Sequence, residues 1–268
     1  MATNHIKKNG CTGLVLSGGA ARGYAHLGVI KALNEEGIYP DMISGTSAGA
    51  IAGVLYADGY TPDEILEILG KNSRLDFLAL TVPKVGLLKM TGMIRILKKN
   101  LRATTFEELK IPLIVTATNL HNARVEYFSS GELLRCIIAS ASIPIIFRPV
   151  VMNNISYVDG GVIDNLPVGP LERKCSFLIG SYVNSLEERD GFNSLIAIAE
   201  RAFHLSVTKD LQQKKRKFDI YINPPELIKY NAFDQNKSHE LFELGYRSCK
   251  DKVAEYRNRP ARKSKSSV

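Results

Sequence analysis

Short apolar runs recur along this chain, separated by longer stretches in which apolar residues return every three or four positions. A run of about five apolar residues predicts a buried strand, and the longer spacing predicts a helix with one apolar face. The predicted strands are 12–16, a short run at 42–43, 112–118, 124–128, 155–158, 176–183 and 218–222. The predicted helices are 24–36, 48–58, 62–69, 130–140, 194–212 and 238–256. Such alternation is typical of α/β proteins.

The first predicted strand runs into a glycine-rich turn, Ser17-Gly18-Gly19-Ala20-Ala21-Arg22-Gly23, and a helix follows directly. Such a turn points free backbone N–H groups at an anion in front of the helix. Two kinds of site fit this description: a phosphate cradle for a dinucleotide, or an oxyanion hole beside a catalytic serine. The dinucleotide pattern fails, because Ala20 replaces a required glycine and Asp41 opens the second strand instead of closing it.

The second strand leads into Gly45-Thr46-Ser47-Ala48-Gly49, which has the pattern G-x-S-x-G. Between a strand and a helix, this motif predicts a nucleophile elbow that lifts the serine hydroxyl above the sheet. Gly45 and Gly49 leave room where strand and helix pass close together. The motif alone is weak evidence, and it gains weight from the glycine-rich turn on the preceding strand.

A carboxylate, Asp159, closes the predicted strand 155–158 and is followed by Gly160 and Gly161. In open α/β sheets, functional groups cluster outside the carboxyl ends of the strands. An ordinary Asp-Gly turn has the same local sequence, so Asp159 becomes a candidate only together with the serine elbow.

A nucleophilic serine needs a group that accepts its proton. Only two histidines follow Asp159, and both of them, His204 and His239, lie in predicted helices among apolar neighbours. His26 lies just after the glycine-rich turn, where a structural role is favoured. Asp159 acting directly on Ser47 is therefore the better base. A carboxylate base requires a water-poor site that raises its basicity, and strong stabilisation of the oxyanion.

Residues 71–103 differ in kind from the rest, because apolar side chains are mixed with lysines and arginines and few acids. This pattern fits a surface that meets lipid or a lid over an apolar site. An ordinary packed helical insertion with solvated lysines fits it as well.

The composition is that of a soluble globular protein, with 45% hydrophobic and 23% charged residues. The N-terminus lacks the apolar run of a secretory signal, and no apolar segment approaches the about 18 residues that span a bilayer. Four scattered cysteines without paired spacing predict reduced thiols, with neither a metal site nor a disulfide. We therefore expect a cytoplasmic protein.

The net charge of +8 favours anionic partners. We expect peripheral contact with an anionic membrane, and we expect no nucleic acid as a partner. Solubility together with a basic tail explains the same charge.

Three motifs follow one another along the chain: the glycine-rich loop with Arg22-Gly23, the serine elbow, and Asp159-Gly160-Gly161. Their order and spacing resemble those of the patatin-like phospholipases, a family of Ser-Asp lipid acyl hydrolases. The resemblance covers about residues 12–170. Further local matches are Ala25-His26-Leu27-Gly28-Val29 after the loop, Ser142, Pro144, Phe147 and Pro149 before the aspartate, and Asn165-Leu166-Pro167 behind it.

The resemblance implies Ser47 as nucleophile and Asp159 as base, without a metal or cofactor. The backbone N–H groups around Gly18, Gly19 and Ala20 would form the oxyanion hole. The family's loop usually has a glycine where this chain has Ala20. A backbone donor survives that change unless the position needs a positive φ, so we expect activity with a narrower mouth.

The resemblance also implies a three-layer α/β/α sandwich with a mostly parallel central sheet. We expect one domain over 1–268, in which strands and helices of 171–256 complete the catalytic core of 12–170. Residues 257–268 form a basic, disordered tail in this interpretation.

The expected function is that of a serine acyl hydrolase of the esterase, phospholipase A or lysophospholipase type. It would cleave fatty-acyl esters of lipids through an acyl-enzyme intermediate on Ser47. The alternative is a non-catalytic lipid-binding or regulatory module that keeps the same fold.

Overall fold

The computed structural model describes residues 10–70, 79–80, 88–185, 210–230 and 235–259, with a few single positions between 191 and 208. The strands are β1 (Thr12–Leu16), β2 (Met42–Thr46), β3 (Ala79–Leu80), β4 (Leu88–Lys89), β5 (Leu113–Asn119), β6 (Arg124–Phe128), β7 (Val150–Met152), β8 (Ile155–Asp159), β9 (Phe177–Ser181) and β10 (Ile220–Ile222). The α-helices are α1 (Tyr24–Glu35), α2 (Ala48–Ala57), α3 (Pro62–Gly70), α4 (Thr91–Asn100), α5 (Leu133–Ser140), α6 (Gly169–Glu172), α7 (Leu211–Lys215) and α8 (Ser238–Arg257).

The central sheet has eight strands in the order β10-β9-β1-β2-β5-β8-β7, with β6 paired to β5 off this path. The five strands from β10 to β5 are mutually parallel, and β6, β7 and β8 pair in antiparallel fashion. The expected mostly parallel sheet is confirmed, and it carries an antiparallel extension at one side.

Strand β5 shares one of its edges between two partners. Thr46 of β2 pairs with Thr116, and Asp159 of β8 pairs with the next residue, Ala117. The opposite edge of β5 is occupied by β6. Because β2 runs parallel to β5 and β8 runs against it, the carboxyl ends of β2 and β8 meet head to head. This meeting brings the residue after Thr46, the elbow serine, next to Asp159.

The two faces of the sheet bury two separate apolar clusters. In β1, Leu14 and Leu16 belong to the cluster under α1, α2 and α8, and Val15 belongs to the cluster on the other face. This alternation follows from the two-residue repeat of a strand. Leu171 of α6 and Phe218 cover the second face. The chain therefore forms the expected α/β/α layers.

The prediction of four reduced cysteines is wrong for two of them. Cys11 and Cys175 form a disulfide, with their Cα atoms 4.4 Å apart. They precede β1 and β9, which pair with Thr12 opposite Phe177. Residues 164 positions apart in sequence thus become neighbours through strand pairing, which spacing alone does not reveal. The other two cysteines, Cys136 and Cys249, are free and buried.

The segment 71–103 is described only in part. Its helix α4 packs Ile96 and Leu97 into the core and exposes Arg95, Lys98 and Lys99. This part is a packed helix with solvated cations. The side chains of 71–89, on which the lid hypothesis also depends, lie outside the described residues.

Most of the helix predicted over 194–212 and of the basic tail 257–268 also lies outside the described residues, although α8 extends to Arg257. Within the part of the chain that the structure describes, no helix has the length and apolar character to cross a membrane.

Candidate active site

Ser47 lies in a strained turn between β2 and α2. Its backbone has φ 54° and ψ −119°, a conformation that residues other than glycine rarely adopt. The turn is tight, since a Cβ atom on Gly49 would lie 2.3 Å from the carbonyl oxygen of Leu16. A Cβ atom on Gly45 would lie 2.7 Å from the carbonyl oxygen of Gly49. These contacts have the geometry of a nucleophile elbow and explain why both positions are glycine.

The end of α5 holds both candidate catalytic residues by their backbones. The N–H of Ser47 donates a hydrogen bond to the Ser140 hydroxyl at 2.9 Å. The N–H of Asp159 donates to the carbonyl oxygen of Ser142, also at 2.9 Å. One short segment therefore fixes the spacing between Ser47 and Asp159. The apolar period of α5 predicted the helix, but nothing in the sequence assigned Ser140 this role.

We expect Ser140→Ala to lower the free energy of unfolding by about 1–3 kcal/mol, because it leaves the N–H of Ser47 buried without an acceptor. Urea unfolding measures this loss. Ser142→Ala is the matched control: it removes an equally buried hydroxyl, but the bond to Asp159 uses the backbone oxygen and survives. Equal losses in the two variants would contradict the role given to Ser140.

The Asp159 carboxyl is almost completely buried, with 1% of the residue exposed. Burial raises the pKa of Asp159 to about 7, against smaller lowering effects from the Ser47 hydroxyl and the Gly161 N–H. The Gly161 N–H donates to Oδ1 at 2.7 Å. Oδ2 has no hydrogen-bond partner in the described part of the chain, and catalytic hydrogen bonds often tighten only when substrate binds.

Gly160, which follows Asp159, lies too close to the backbone of β5 to carry a side chain. A Cβ atom on Gly160 would lie 2.3 Å from the carbonyl oxygen of Thr116. The chain therefore turns away from β8 directly against the backbone of β5. This contact holds the Asp159 carboxyl at the junction with β2.

The three loop residues predicted to supply oxyanion donors are not equivalent. The N–H of Gly18 already donates to the carbonyl oxygen of Asn165 at 3.1 Å. The N–H groups of Gly19 and Ala20 have no acceptor among the described residues. Ala20 has φ 48°, a left-handed conformation that costs a residue with a Cβ about 1 kcal/mol. The position thus does adopt the positive φ that favours glycine; alanine occupies it under strain, and its N–H remains available as a donor.

Arg22 and Gly23 support this loop from behind. The Arg22 guanidinium donates to the carbonyl oxygens of Ser185 at 3.0 Å and Tyr230 at 2.9 Å. A Cβ atom on Gly23 would lie 2.6 Å from the Cβ of Ala48, so the loop packs directly on the elbow. Both residues therefore position the loop.

The structural role predicted for His26 agrees with its contacts. Its Nδ1 bonds the Ser181 hydroxyl and its Nε2 bonds the carbonyl oxygen of Ser17, both at 2.8 Å. Burial lowers its pKa to about 4, so the ring is neutral. With both nitrogens engaged, His26 has no atom left to accept the serine proton. His239 is exposed on α8, and His204 lies outside the described residues.

Asp164 anchors the segment behind the two glycines, a role that the sequence did not indicate. Its backbone oxygen accepts from the Thr46 hydroxyl at 2.9 Å. Its carboxylate accepts from Tyr127 at 2.7 Å and from Lys214 at 2.5 Å. This segment is therefore tied to the residue that precedes Ser47. The partners are distant in sequence, so only their meeting in the fold identifies them.

Comparison with known proteins places this geometry in a family. A family model described as patatin-like phospholipase matches residues 14–172. Lysophospholipase NTE1 of Kluyveromyces lactis is 31% identical over 270 residues, which cover 87% of this chain and 18% of that protein. Lysophospholipase NTE1 of Candida albicans is 26% identical over 291 residues, with 97% and 21% covered. The chain thus spans about a fifth of the length of these relatives.

Among solved structures, VipD from Legionella pneumophila shares the fold with a TM-score of 0.61 at 16% identity. The match covers 92% of this chain and 67% of that chain. The family model covers more than half of the 268 residues and contains the glycine-rich turn, the elbow and the aspartate. This chain therefore belongs to the patatin-like phospholipase family.

Proposed function

We propose that this chain is a serine carboxylic ester hydrolase that releases fatty acids from lipid esters. The observation that carries the proposal is the position of Ser47, which directly follows β2, next to the buried carboxyl of Asp159, which ends β8, at the point where the two strands meet. A pKa of about 7 makes this carboxylate a far better base than an exposed one, and it leaves the group about half ionised at neutral pH and almost fully ionised above about pH 8.

The proposed reaction has two halves. In the first, Ser47 Oγ attacks the ester carbonyl carbon while its proton passes to Asp159, and a tetrahedral oxyanion forms. The oxyanion accepts hydrogen bonds from the N–H groups of Gly19 and Ala20. When the intermediate collapses, the C–O bond of the alcohol breaks and that oxygen takes the proton from Asp159. The acyl group stays on Ser47.

In the second half, water attacks the acyl-serine carbonyl and gives a proton to Asp159. The second oxyanion is held by the same two N–H groups. Its collapse releases the fatty acid and returns the proton from Asp159 to Ser47. The cycle consumes one ester and one water, and it requires no metal or redox cofactor.

Lysophospholipids are the first substrates that we propose, because the curated relatives carry the name lysophospholipase. A peripheral contact with anionic lipid supports access to such substrates. The net charge of +8 and the exposed cations of α4, Arg95, Lys98 and Lys99, favour this contact electrostatically.

The first test is labelling of the purified chain with a fluorophosphonate, alone and with anionic liposomes. We expect one phosphonyl group per chain, located on the Ser47 peptide by mass spectrometry and absent from Ser47→Ala. Release of fatty acid from lysophosphatidylcholine, diacyl phosphatidylcholine and a short p-nitrophenyl ester then ranks the substrates. A folded chain without label or fatty-acid release under either condition would contradict the proposal and favour a non-catalytic lipid-binding module.

A further inference from the structure

Asn165 carries a buried amide group that the proposed reaction has not yet used. The residue is 3% exposed, and its side-chain Nδ2 has no hydrogen-bond partner in the described part of the chain. Native proteins pair the great majority of their buried donors, so an unpaired buried donor is a candidate for contact with a ligand.

The position of this amide is beside the nucleophile. A Cβ atom on Gly18 would lie 2.4 Å from Asn165 Oδ1 and 3.3 Å from the Cβ of Ser47. The α-carbon of Gly18 is thus flanked by the Asn165 carboxamide and by the serine. The absence of a side chain at Gly18 is what leaves space for the amide next to Ser47.

The backbone of Asn165 is held independently of its side chain. Its carbonyl oxygen accepts from the N–H of Gly18 at 3.1 Å. The preceding residue, Asp164, accepts from the Thr46 hydroxyl through its own carbonyl oxygen. These backbone bonds fix residue 165 between the glycine-rich loop and the elbow, and a change of the Asn165 side chain leaves both of them in place.

We propose that the Asn165 side-chain amide donates a hydrogen bond to the substrate oxyanion. The inference rests on the proposed ester hydrolysis and names a further catalytic residue for it. The N–H of Gly18 already donates to the Asn165 carbonyl oxygen, so the loop offers the oxyanion two backbone donors, from Gly19 and Ala20. The carboxamide supplies the third. A side-chain donor fixed in a dry site stabilises the charged transition state more than the neutral ester, so it acts on kcat.

The test compares wild type, Asn165→Ala and Asn165→Asp in steady-state ester hydrolysis at pH 9. Asn165→Asp keeps the shape of the side chain, removes the N–H donor and, at pH 9, adds a negative charge that repels the oxyanion, whereas Asn165→Ala removes the donor without adding charge. We expect kcat to fall by about 10²- to 10³-fold in both variants, with KM within about threefold of wild type. The affinity for a trifluoromethyl ketone, whose serine adduct carries an oxyanion, should fall in parallel with kcat/KM.

Each outcome has one interpretation. The inference would be overturned if either variant has the melting temperature of the wild type and a kcat within threefold of the wild-type value. A lower kcat with unchanged affinity for the ketone would overturn it as well. A residue that binds the oxyanion must affect both quantities, whereas a purely structural role need not. If Asn165→Ala does not fold, Asn165→Asp decides by the same criteria. Absence of turnover in the wild type would instead reject the proposed function.

Discussion

Asp159→Asn is expected to remove nearly all ester hydrolysis and, at the same time, to make the folded chain more stable at alkaline pH. Both effects have one cause: the carboxyl is buried with little compensation for its charge. The amide of asparagine has nearly the same shape, and its oxygen can still accept from the N–H of Gly161. The variant therefore removes the charge while it keeps the packing.

The loss of activity follows from the loss of the base. General base catalysis contributes about 10²- to 10⁴-fold, and an amide cannot take the proton of Ser47. We expect kcat/KM to fall by a factor in this range. For the wild type, kcat/KM should rise about tenfold per pH unit below pH 7 and level off above it, since only ionised Asp159 is active. The residual activity of the variant should lack this step.

The gain in stability follows from proton linkage. A carboxyl in the unfolded chain has a pKa of about 3.9, whereas Asp159 in the folded chain has a pKa of about 7. Between these values the folded state binds more protons than the unfolded state, so wild-type stability falls as the pH rises. The free-energy cost of keeping the Asp159 carboxylate buried is absent below about pH 4 and reaches its full value above about pH 7. From pH 5 to pH 8 it grows by about 3 kcal/mol.

Urea unfolding of both proteins at pH 5 and pH 8 measures this effect. The stability of Asp159→Asn relative to wild type should increase by about 3 kcal/mol between the two pH values. Asp63→Asn is the matched control: it removes an exposed carboxylate of α3 that pairs with Lys31, and its stability relative to wild type should change by less than about 0.5 kcal/mol between the two pH values. A relative stability of Asp159→Asn that does not change with pH would show that Asp159 is ionised without cost, against the proposed base.

The sequence was most informative where structure is local. The glycine-rich turn, the elbow and the start of α3, which belongs to the helix predicted over 62–69, are each set by residues within a few positions of one another. In the structure, the N–H of Thr61 donates to the Glu64 carboxylate at 2.7 Å, as a capping box requires. Such features depend on backbone geometry and short-range bonds, which a local pattern encodes.

The sequence was least informative where strand register decides the contacts. The sequence identifies Asp159 as a residue that closes a strand. It does not show that β8 runs antiparallel to β5 and reaches Ser47 because it shares an edge of β5 with β2. The Cys11–Cys175 disulfide and the bond from Ser47 to Ser140 depend on pairings between distant segments in the same way. No period or spacing in one sequence specifies which strands become neighbours.

Gly28→Ala and Gly245→Ala are expected to be among the most destabilising single substitutions in this chain. A Cβ atom on Gly28 of α1 would lie 1.9 Å from the carbonyl oxygen of Phe242, and one on Gly245 of α8 would lie 2.0 Å from that of Ala25. The opposing atoms belong to helix backbones, which cannot rotate away as a side chain can. The helices must separate, at a cost that we put at about 3 kcal/mol or more.

This separation should reach the active site, although α8 lies outside the region 14–172 that the family model matches. Helix α8 packs against α1 and against the short 3₁₀ helix Ala20–Gly23, which begins with the proposed oxyanion donor Ala20. A displaced α8 therefore withdraws support from that loop. We expect kcat/KM to fall in both variants under conditions in which the chain remains folded.

Urea unfolding and ester hydrolysis of both variants test this expectation, with Gly169→Ala as the control. Gly169 begins α6, is exposed, and has no atom within 4 Å of an added Cβ, so stability and activity should stay near wild type. The double variant should be destabilised by less than the sum of the single losses, because helices already separated by one methyl group leave room for the second. Additive losses, or wild-type stability of either variant, would show that α1 and α8 do not meet backbone to backbone at these glycines.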